Sequence, residues 1–191
     1  MEQMKTIATT ALTTAFLLAG AALPGIGANA ASLPDPVNVT MTGPDGSDRG
    51  TVSIVPTPHG LLLEAQLTGL ADGTHAFHIH ETGRCEGDFS SAGGHFNPAS
   101  SDHGYLVEKG PHAGDMPNVT AANGKADFTV FQSDLGLAAG DANSVMSGSG
   151  APLNDADGSA LVVHAGADDY HSQPSGAAGG RVACGVIYPP K

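Results

Sequence analysis

Apolar and polar residues alternate in short segments separated by glycine- and proline-rich turns, and no segment keeps the period of a helix. Val37, Val39 and Met41 alternate in the first such segment. The alternation returns in "LLLEAQL" at 61–67, and the further segments predicted to be strands are "TVSIV" at 51–55, "HAFHIH" at 75–80, "KADFTVF" at 125–131, "ALVVH" at 160–164 and "RVACGVI" at 181–187. Alternation of this kind is typical of half-buried β-strands. The sequence therefore predicts about eight short strands in an all-β sandwich or barrel.

The first thirty residues have a different character. Lys5 precedes the apolar stretch "IATTALTTAFLLAGAALPGIG", and "ANA" at 28–30 has the small-x-small form of a cleavage site. This predicts a secretory signal at 1–30 that is cut after Ala30, with 31–191 as one exported domain in the periplasm or the medium. The alternative is a membrane anchor, but Pro24 interrupts the segment and no basic cluster follows it.

Charge and cysteine content narrow the possible partners. The formal net charge is −12, which argues against nucleic-acid binding because phosphate contacts need clustered Lys and Arg. No membrane association is expected after signal cleavage. The only two cysteines are Cys85 and Cys184, and export to an oxidising compartment favours a disulfide between them. Two free buried thiols are the alternative.

Two long irregular stretches interrupt the strand pattern, from Glu81 to about Asn118 and from Ala165 to Gly180. Long loops inside a compact domain are usually functional or disordered. These two contain the side chains that could carry chemistry, namely His95, His103, His112, Asp115, Asp168, Asp169 and Tyr170. A third stretch, 135–158, has no His or Cys, and we interpret it as a connection without chemistry.

The histidines form a pattern that suits metal binding. His78 and His80 lie two residues apart on a predicted strand and therefore share a face, whereas Phe77 and Ile79 share the other. Alone, this pattern is weak because paired surface histidines are common. Three further imidazoles and a carboxylate follow in the loop, enough for a tetrahedral zinc site: His95, His103, His112 and Asp115. His164 ends an apolar strand, where a polar residue at a strand end is the simpler interpretation.

Taken together, these segments resemble a known family. "AFHIHETGRC", "SAGGHFNP", "HGYLVEKGPHAGDMPNV", "DADGSALVVHAGADDY" and "GGRVACGVI" are similar to sequences of the copper,zinc superoxide dismutases, specifically the secreted bacterial branch. The similarity runs from about residue 36 to about residue 188, with order and spacings in agreement. It implies an eight-stranded Greek-key β-barrel with two long metal-site loops, and this family is itself a standard example of sandwich architecture.

The resemblance also implies a role for each residue. Copper would be bound by His78, His80, His95 and His164, and zinc by His95, His103, His112 and Asp115. His95 would bridge the two ions as an imidazolate, and Asp168 would connect a copper-ligand histidine with a zinc-ligand histidine. Cys85 and Cys184 would form the disulfide. Arg181 would face the copper and act with His95 in the disproportionation of superoxide to oxygen and hydrogen peroxide.

Other functions remain to be weighed. A copper- and zinc-binding module without turnover would be expected to lack a copper ligand or the arginine, and both are present here. A structural adhesion domain would leave the histidines unexplained. An ion pair of Arg181 with a nearby carboxylate, such as Asp168 or Asp169, is the alternative to substrate binding. His59, His75 and His171 match no ligand position, His75 being expected at a strand entry. A homodimer is compatible with the sequence.

Overall fold

A computed structural model describes residues 33–133, 135–138 and 151–191. Within these ranges there is no α-helix, and the one helical element is a 3₁₀ turn at Ser90–Ala92. Among the described residues, no helix has the length and apolarity needed to cross a membrane. The signal predicted at 1–30 lies outside the described residues, so the domain boundary at Ala30 stays a prediction.

Strands account for the rest of the regular structure. In chain order they are β1 Val37–Thr42, β2 Asp48–Thr57, β3 Gly60–Thr68, β4 Gly73–His75, β5 Phe77–His80, β6 Val119–Ala121, β7 Lys125–Gln132, β8 Leu135–Gly136, β9 Ala151–Pro152, β10 Ser159–His164 and β11 Arg181–Tyr188. Every segment predicted to be a strand contains one, except that 75–80 is divided at Ala76 between β4 and β5, and the all-β fold class is confirmed. The larger number of strands comes from the short pairs β4–β6 and β8–β9.

Seven strands form one antiparallel sheet in the order β5-β10-β11-β1-β2-β3-β7. The two edge strands of this sheet, β5 and β7, approach each other: the rings of Phe77 on β5 and Phe128 on β7 lie 5.2 Å apart between centroids. The sheet is therefore curled around a single apolar core, as a barrel requires. Buried aliphatic residues from β1, β2, β3, β5 and β10 fill that core.

The second strand is longer than predicted at both ends. The segment predicted at 51–55 begins already at Asp48 and continues through Pro56 to Thr57. Pro56 is tolerated because β1 pairs with β2 only as far as Ile54, and Pro56 pairs on the other side with Leu61 near the end of a hairpin.

The stretch at 135–158, predicted as a connection without chemistry, contains the parallel pair β8–β9. Its residues 139–150, together with residue 134, lie outside the described residues.

Strand β5 places its two kinds of side chain as the alternation predicts. Phe77 and Ile79 belong to the main core, whereas His78 and His80 are buried on the opposite side. On the adjacent strand β10, Ala160 and Val162 pack on that opposite side into a second apolar cluster with Phe89, Ala92 and Cys184. The two long loops cover this face, so the histidines lie between the sheet and the loops.

Candidate metal centre

The loop at 81–118 and the end of β10 bring distant histidines to the outer face of β5. Four histidines offer ring nitrogens that all lie within 4.8 Å of one another. They are His78 and His80 from β5, His95 from the first loop and His164 from the end of β10. All four are buried. We call this group the four-histidine set.

Hydrogen bonds fix the orientation of three of these rings. His78 donates from Nε2 to Oδ2 of Asp168 at 3.0 Å, and His80 donates from Nδ1 to the carbonyl of Gly93 at 3.0 Å. His164 donates from Nδ1 to the carbonyl of Gly179 at 3.2 Å. Because a neutral imidazole carries one N–H, each ring is left with a lone pair on its other nitrogen. Partners of this kind orient metal-ligating histidines in general.

A second group lies beside the first. Oδ1 of Asp115 is 2.7 Å from Nδ1 of His95, 3.1 Å from Nδ1 of His103 and 3.2 Å from Nδ1 of His112. Zinc–ligand bonds of about 2.0–2.1 Å in a tetrahedron would separate the donor atoms by about 3.3 Å. The spacings therefore suit a zinc ion held by three nitrogens and one oxygen. We call this group the His₃Asp set.

The backbone orients the carboxylate of the His₃Asp set. Oδ2 of Asp115 accepts hydrogen bonds from the N–H of Gly104 at 2.9 Å and from the N–H of His112 at 3.0 Å. This leaves Oδ1 for the three imidazoles. Tyr105 donates its hydroxyl to the carbonyl of Asp115 at 2.7 Å, a contact within the first loop.

His95 belongs to both sets, one through each ring nitrogen. Its Nδ1 lies in the His₃Asp set, and its Nε2 is buried without a hydrogen-bond partner. Nδ1 of His78 is also buried without a partner, and the two rings lie 4.0 Å apart between centroids. Buried polar atoms without partners are costly in a folded protein, and a cation between these nitrogens would remove that cost. The residues present therefore fit a metal ion in each set.

Burial keeps three rings of the four-histidine set neutral. It lowers the pKa of His78 to about 4 and the pKa of His164 to about 3, and it holds the pKa of His80 well below the ordinary value. Metal binding needs the neutral imidazole, so these rings are ready to bind at neutral pH.

The carboxylates remain ionised for a different reason. Burial alone would raise the pKa of Asp168, but hydrogen bonds from His78 and His103 outweigh it and lower that pKa to about 2. The pKa of Asp115 is likewise held well below its usual range, against the effect of burial, by the hydrogen bonds from His95 and Gly104.

Asp168 lies where the resemblance implies, between the two sets. Its Oδ2 accepts from His78, and its Oδ1 accepts from Nε2 of His103 at 3.0 Å. Asn118 holds the backbone of Asp168 with two hydrogen bonds of 2.8 Å, one in each direction. The end of the first loop thus positions the carboxylate of the second loop. This role of Asn118 was not predicted from the sequence.

Arg181 begins β11 and lies at the wall of an open cavity of about 410 Å³. His80, His95 and His164 line the same cavity. The Arg181 guanidinium donates from Nη2 to the carbonyl of Gly93 at 2.6 Å and from Nη1 to the carbonyl of Phe89. Among the described residues, it forms no ion pair with Asp168 or Asp169, so that alternative for Arg181 is wrong.

The disulfide between Cys85 and Cys184 is confirmed, with an S–S distance of 2.00 Å. It joins the first long loop to β11, the strand that begins at Arg181. Phe89, whose carbonyl accepts from Arg181, lies four residues after Cys85 in that loop. The disulfide therefore connects the loop segment that carries the Phe89 carbonyl with the strand that carries Arg181.

Three histidines lie outside the two sets. His75 was expected at a strand entry, but it is the last residue of β4 and lies two residues before β5 begins. Its Nδ1 and Nε2 lie 2.7 Å and 2.8 Å from the carbonyls of His164 and Ala71. It therefore supports the backbone of a histidine in the four-histidine set, a role that the sequence analysis missed. His59 and His171 are exposed, and neither is part of either set.

Comparisons with known proteins point to one family. Residues 48–187 match the family described as "Copper/zinc superoxide dismutase (SODC)". A superoxide dismutase [Cu-Zn] of Caulobacter vibrioides is 44% identical over 146 residues, which cover 75% of this chain and 80% of that relative.

Solved structures show the same similarity. A SOD-like protein from Bacillus subtilis matches with a TM-score of 0.70 and 36% identity, covering 78% of this chain and 97% of that one. The Cu/Zn superoxide dismutase from Brucella abortus matches with a TM-score of 0.61 and 32% identity, covering 80% of this chain and 99% of that one.

Proposed function

The chain belongs to the copper/zinc superoxide dismutase family, and we propose that it disproportionates superoxide with copper in the four-histidine set and zinc in the His₃Asp set. All-imidazole donors suit copper(II), and three nitrogens with one carboxylate oxygen suit zinc. The observation that carries the proposal is the position of His95, which directs one ring nitrogen into each set.

Superoxide is both the oxidant and the reductant in this reaction. Two superoxide anions and two protons yield one molecule of oxygen and one of hydrogen peroxide. Copper held by the four-histidine set would supply the one-electron redox chemistry that this reaction needs, and zinc in the His₃Asp set would supply none. The protein must bind a small anion, orient it and deliver protons.

His95 is the residue that we assign to proton handling. With a cation at each ring nitrogen, the imidazole can lose both ring protons and bridge the sets as an imidazolate. Nε2 is the atom that can regain a proton, because it has no hydrogen-bond partner in the protein and His95 lines the cavity. Nδ1 remains held by the His₃Asp set, so the ring keeps its orientation while the proton at Nε2 comes and goes.

Arg181 is the residue that we assign to substrate binding. Its guanidinium stays charged at any working pH and has five N–H donors. Two donors are used by the carbonyls of Gly93 and Phe89, which hold the planar group at the cavity wall. The remaining donors are available to a small anion in the cavity, close to His80 and His164.

We also propose that the protein works outside the cytoplasm. The Cys85–Cys184 disulfide supports this location, because structural disulfides persist in oxidising compartments. The apolar segment at 1–30, which ends in "ANA", would direct the export.

The direct test is superoxide decay in the presence of the purified protein, with copper and zinc counted per chain. The matched control is His80→Ala, which removes one nitrogen from the four-histidine set and leaves the His₃Asp set intact. We expect the wild type to carry one copper and one zinc and to consume superoxide catalytically. The control should retain zinc, lose copper and lose turnover. A wild-type protein that holds both metals without consuming superoxide would be a metal-binding module instead.

A further inference from the structure

Glu81 follows the last histidine of β5 and makes two contacts with one glycine. Its backbone N–H donates to the carbonyl of Gly94 at 3.0 Å. In the other direction, the N–H of Gly94 donates to Oε1 of Glu81 at 2.8 Å. Glu81 is exposed, and it lines the same cavity as Arg181. Neither the ligand sets nor the arginine account for this carboxylate.

The Glu81 carboxylate also packs against Gly93, the residue before Gly94. Gly93 has a φ of +73°, and a Cβ on it would lie 2.7 Å from Oε1 of Glu81. The carboxylate therefore occupies the space where a side chain of residue 93 would be. This contact and the hydrogen bond from Gly94 hold the Gly93–Gly94 backbone against the carboxylate.

The carbonyl of Gly93 is shared by two functional groups. It accepts from Nδ1 of His80 at 3.0 Å and from Nη2 of Arg181 at 2.6 Å. Moving this one oxygen would turn the His80 ring and shift the guanidinium together. Contacts that orient a ligand or substrate-binding group commonly have large effects on a site without touching the reacting atoms.

We propose that Glu81 is a positioning residue that, through the backbone of Gly93 and Gly94, sets the places of the His80 ring and the Arg181 guanidinium. This inference rests on the proposed function for the meaning of those two groups. It assigns to Glu81 the role of hydrogen-bond acceptor for the N–H of Gly94. A carboxylate without that role, in a cavity that receives an anion, would only repel the substrate.

Two substitutions separate the acceptor from the charge. Glu81→Gln keeps a side-chain oxygen for the N–H of Gly94 and removes the negative charge. Glu81→Ala removes both. Glu86→Ala is the matched control, since Glu86 is an exposed carboxylate of the same loop and does not line the cavity. Copper and zinc content and the melting temperature are measured for each variant, so that a folding defect is recognised.

Azide serves as the probe of the anion site. It is titrated into the copper- and zinc-loaded protein and followed by its absorption band on copper(II), and the copper(II) EPR spectrum reports the ring orientation. We expect Glu81→Ala to keep both metals, to change the EPR spectrum and to bind azide about fivefold more weakly, the effect of losing one net hydrogen bond. Glu81→Gln should keep the wild-type EPR spectrum and bind azide at least as tightly as the wild type.

Two results would overturn the inference. One is a Glu81→Ala protein with wild-type EPR spectrum and azide affinity. The other is a Glu81→Gln protein as altered as Glu81→Ala, which would assign the effect to charge. Superoxide decay is measured separately. If the wild type does not consume superoxide, the proposed function fails, while the azide titration still decides the role of Glu81.

Discussion

The carboxylate of Asp168 accepts a 3.0 Å hydrogen bond from Nε2 of His78, and its other oxygen accepts one from Nε2 of His103. One side chain thus fixes the tautomer of a ring in each set. Both imidazoles must carry their proton on Nε2 and present Nδ1 to a metal. The four-histidine set and the His₃Asp set are therefore connected by Asp168 as well as by His95, which belongs to both.

Asp168→Asn tests this connection. An amide has only one acceptor oxygen, so one of the two rings would face an NH₂ donor and lose its orientation. We expect the affinity for zinc to fall about 10- to 100-fold, the usual cost of removing such a partner. The measurement is zinc release to a chelator as a function of its concentration. Asp169→Asn is the control, because Asp169 is exposed and bonds to Ser172, and unchanged zinc affinity in both variants would contradict the account.

The disulfide should stabilise the fold and the arginine together. Cys85 and Cys184 are 99 residues apart, and closing such a loop is worth about 4.7 kcal/mol in the chain-entropy model. Replacing both with serine should lower the melting temperature by about 10–20 °C. Calorimetry of the metal-loaded proteins measures this change. A melting temperature equal to that of the wild type, with free thiols excluded in the wild type, would refute the prediction.

Acid should destabilise the metal-free protein in a defined window. His78 and His164 have pKa values of about 4 and about 3 when folded, below their unfolded value of about 6.5. Between about pH 6.5 and about pH 4 the unfolded chain binds protons that the folded chain does not, so stability falls as the pH is lowered. The slope is at most about 1.4 kcal/mol per pH unit for each histidine.

A second loss of stability should follow at lower pH. The pKa of Asp168 is about 2 when folded, below its ordinary value of about 3.9, so its contribution is present above about pH 4 and is lost on further acidification. Urea unfolding of the metal-free protein, from about pH 7 downwards, measures both steps. A free energy of unfolding that stays constant between about pH 6.5 and about pH 4 would show that the histidines are not buried as neutral groups.

Removing the guanidinium should affect turnover more than metal binding. A charge about 5 Å from the anion, at an effective dielectric constant near 20, contributes roughly 3 kcal/mol before solvent losses. We therefore expect Arg181→Ile to reduce kcat/KM about 10- to 100-fold, with a weaker dependence on ionic strength. Stopped-flow superoxide decay at several salt concentrations measures both effects. Wild-type turnover, or loss of copper from the variant, would show that Arg181 has another role.

Spacing along the chain was enough to predict the main strands and the donors of the His₃Asp set, because alternation on a strand and side-chain chemistry are local properties. The place of His164 in the four-histidine set followed only from the resemblance to a known family, because from the residues alone it is a polar residue at the end of a strand. The partners that orient those donors were not predictable in the same way. His80, His164 and Arg181 are oriented by the carbonyls of Phe89, Gly93 and Gly179, and a carbonyl has no signature in the sequence. Asn118 and Asp168 are 50 residues apart, one at the end of the first loop and one in the second. Their contacts therefore depend on how the two loops pack together.

The central claim is that His95 joins the two metal sites through its own ring. The most direct measurement is the copper(II) EPR spectrum of protein that holds copper in the four-histidine set and cobalt(II) in place of zinc in the His₃Asp set. A bridging imidazolate would couple the two ions magnetically, so the account predicts that the signal of isolated copper(II) disappears as one cobalt per chain is bound. An undiminished signal of isolated copper(II), with one copper and one cobalt counted per chain, would contradict it.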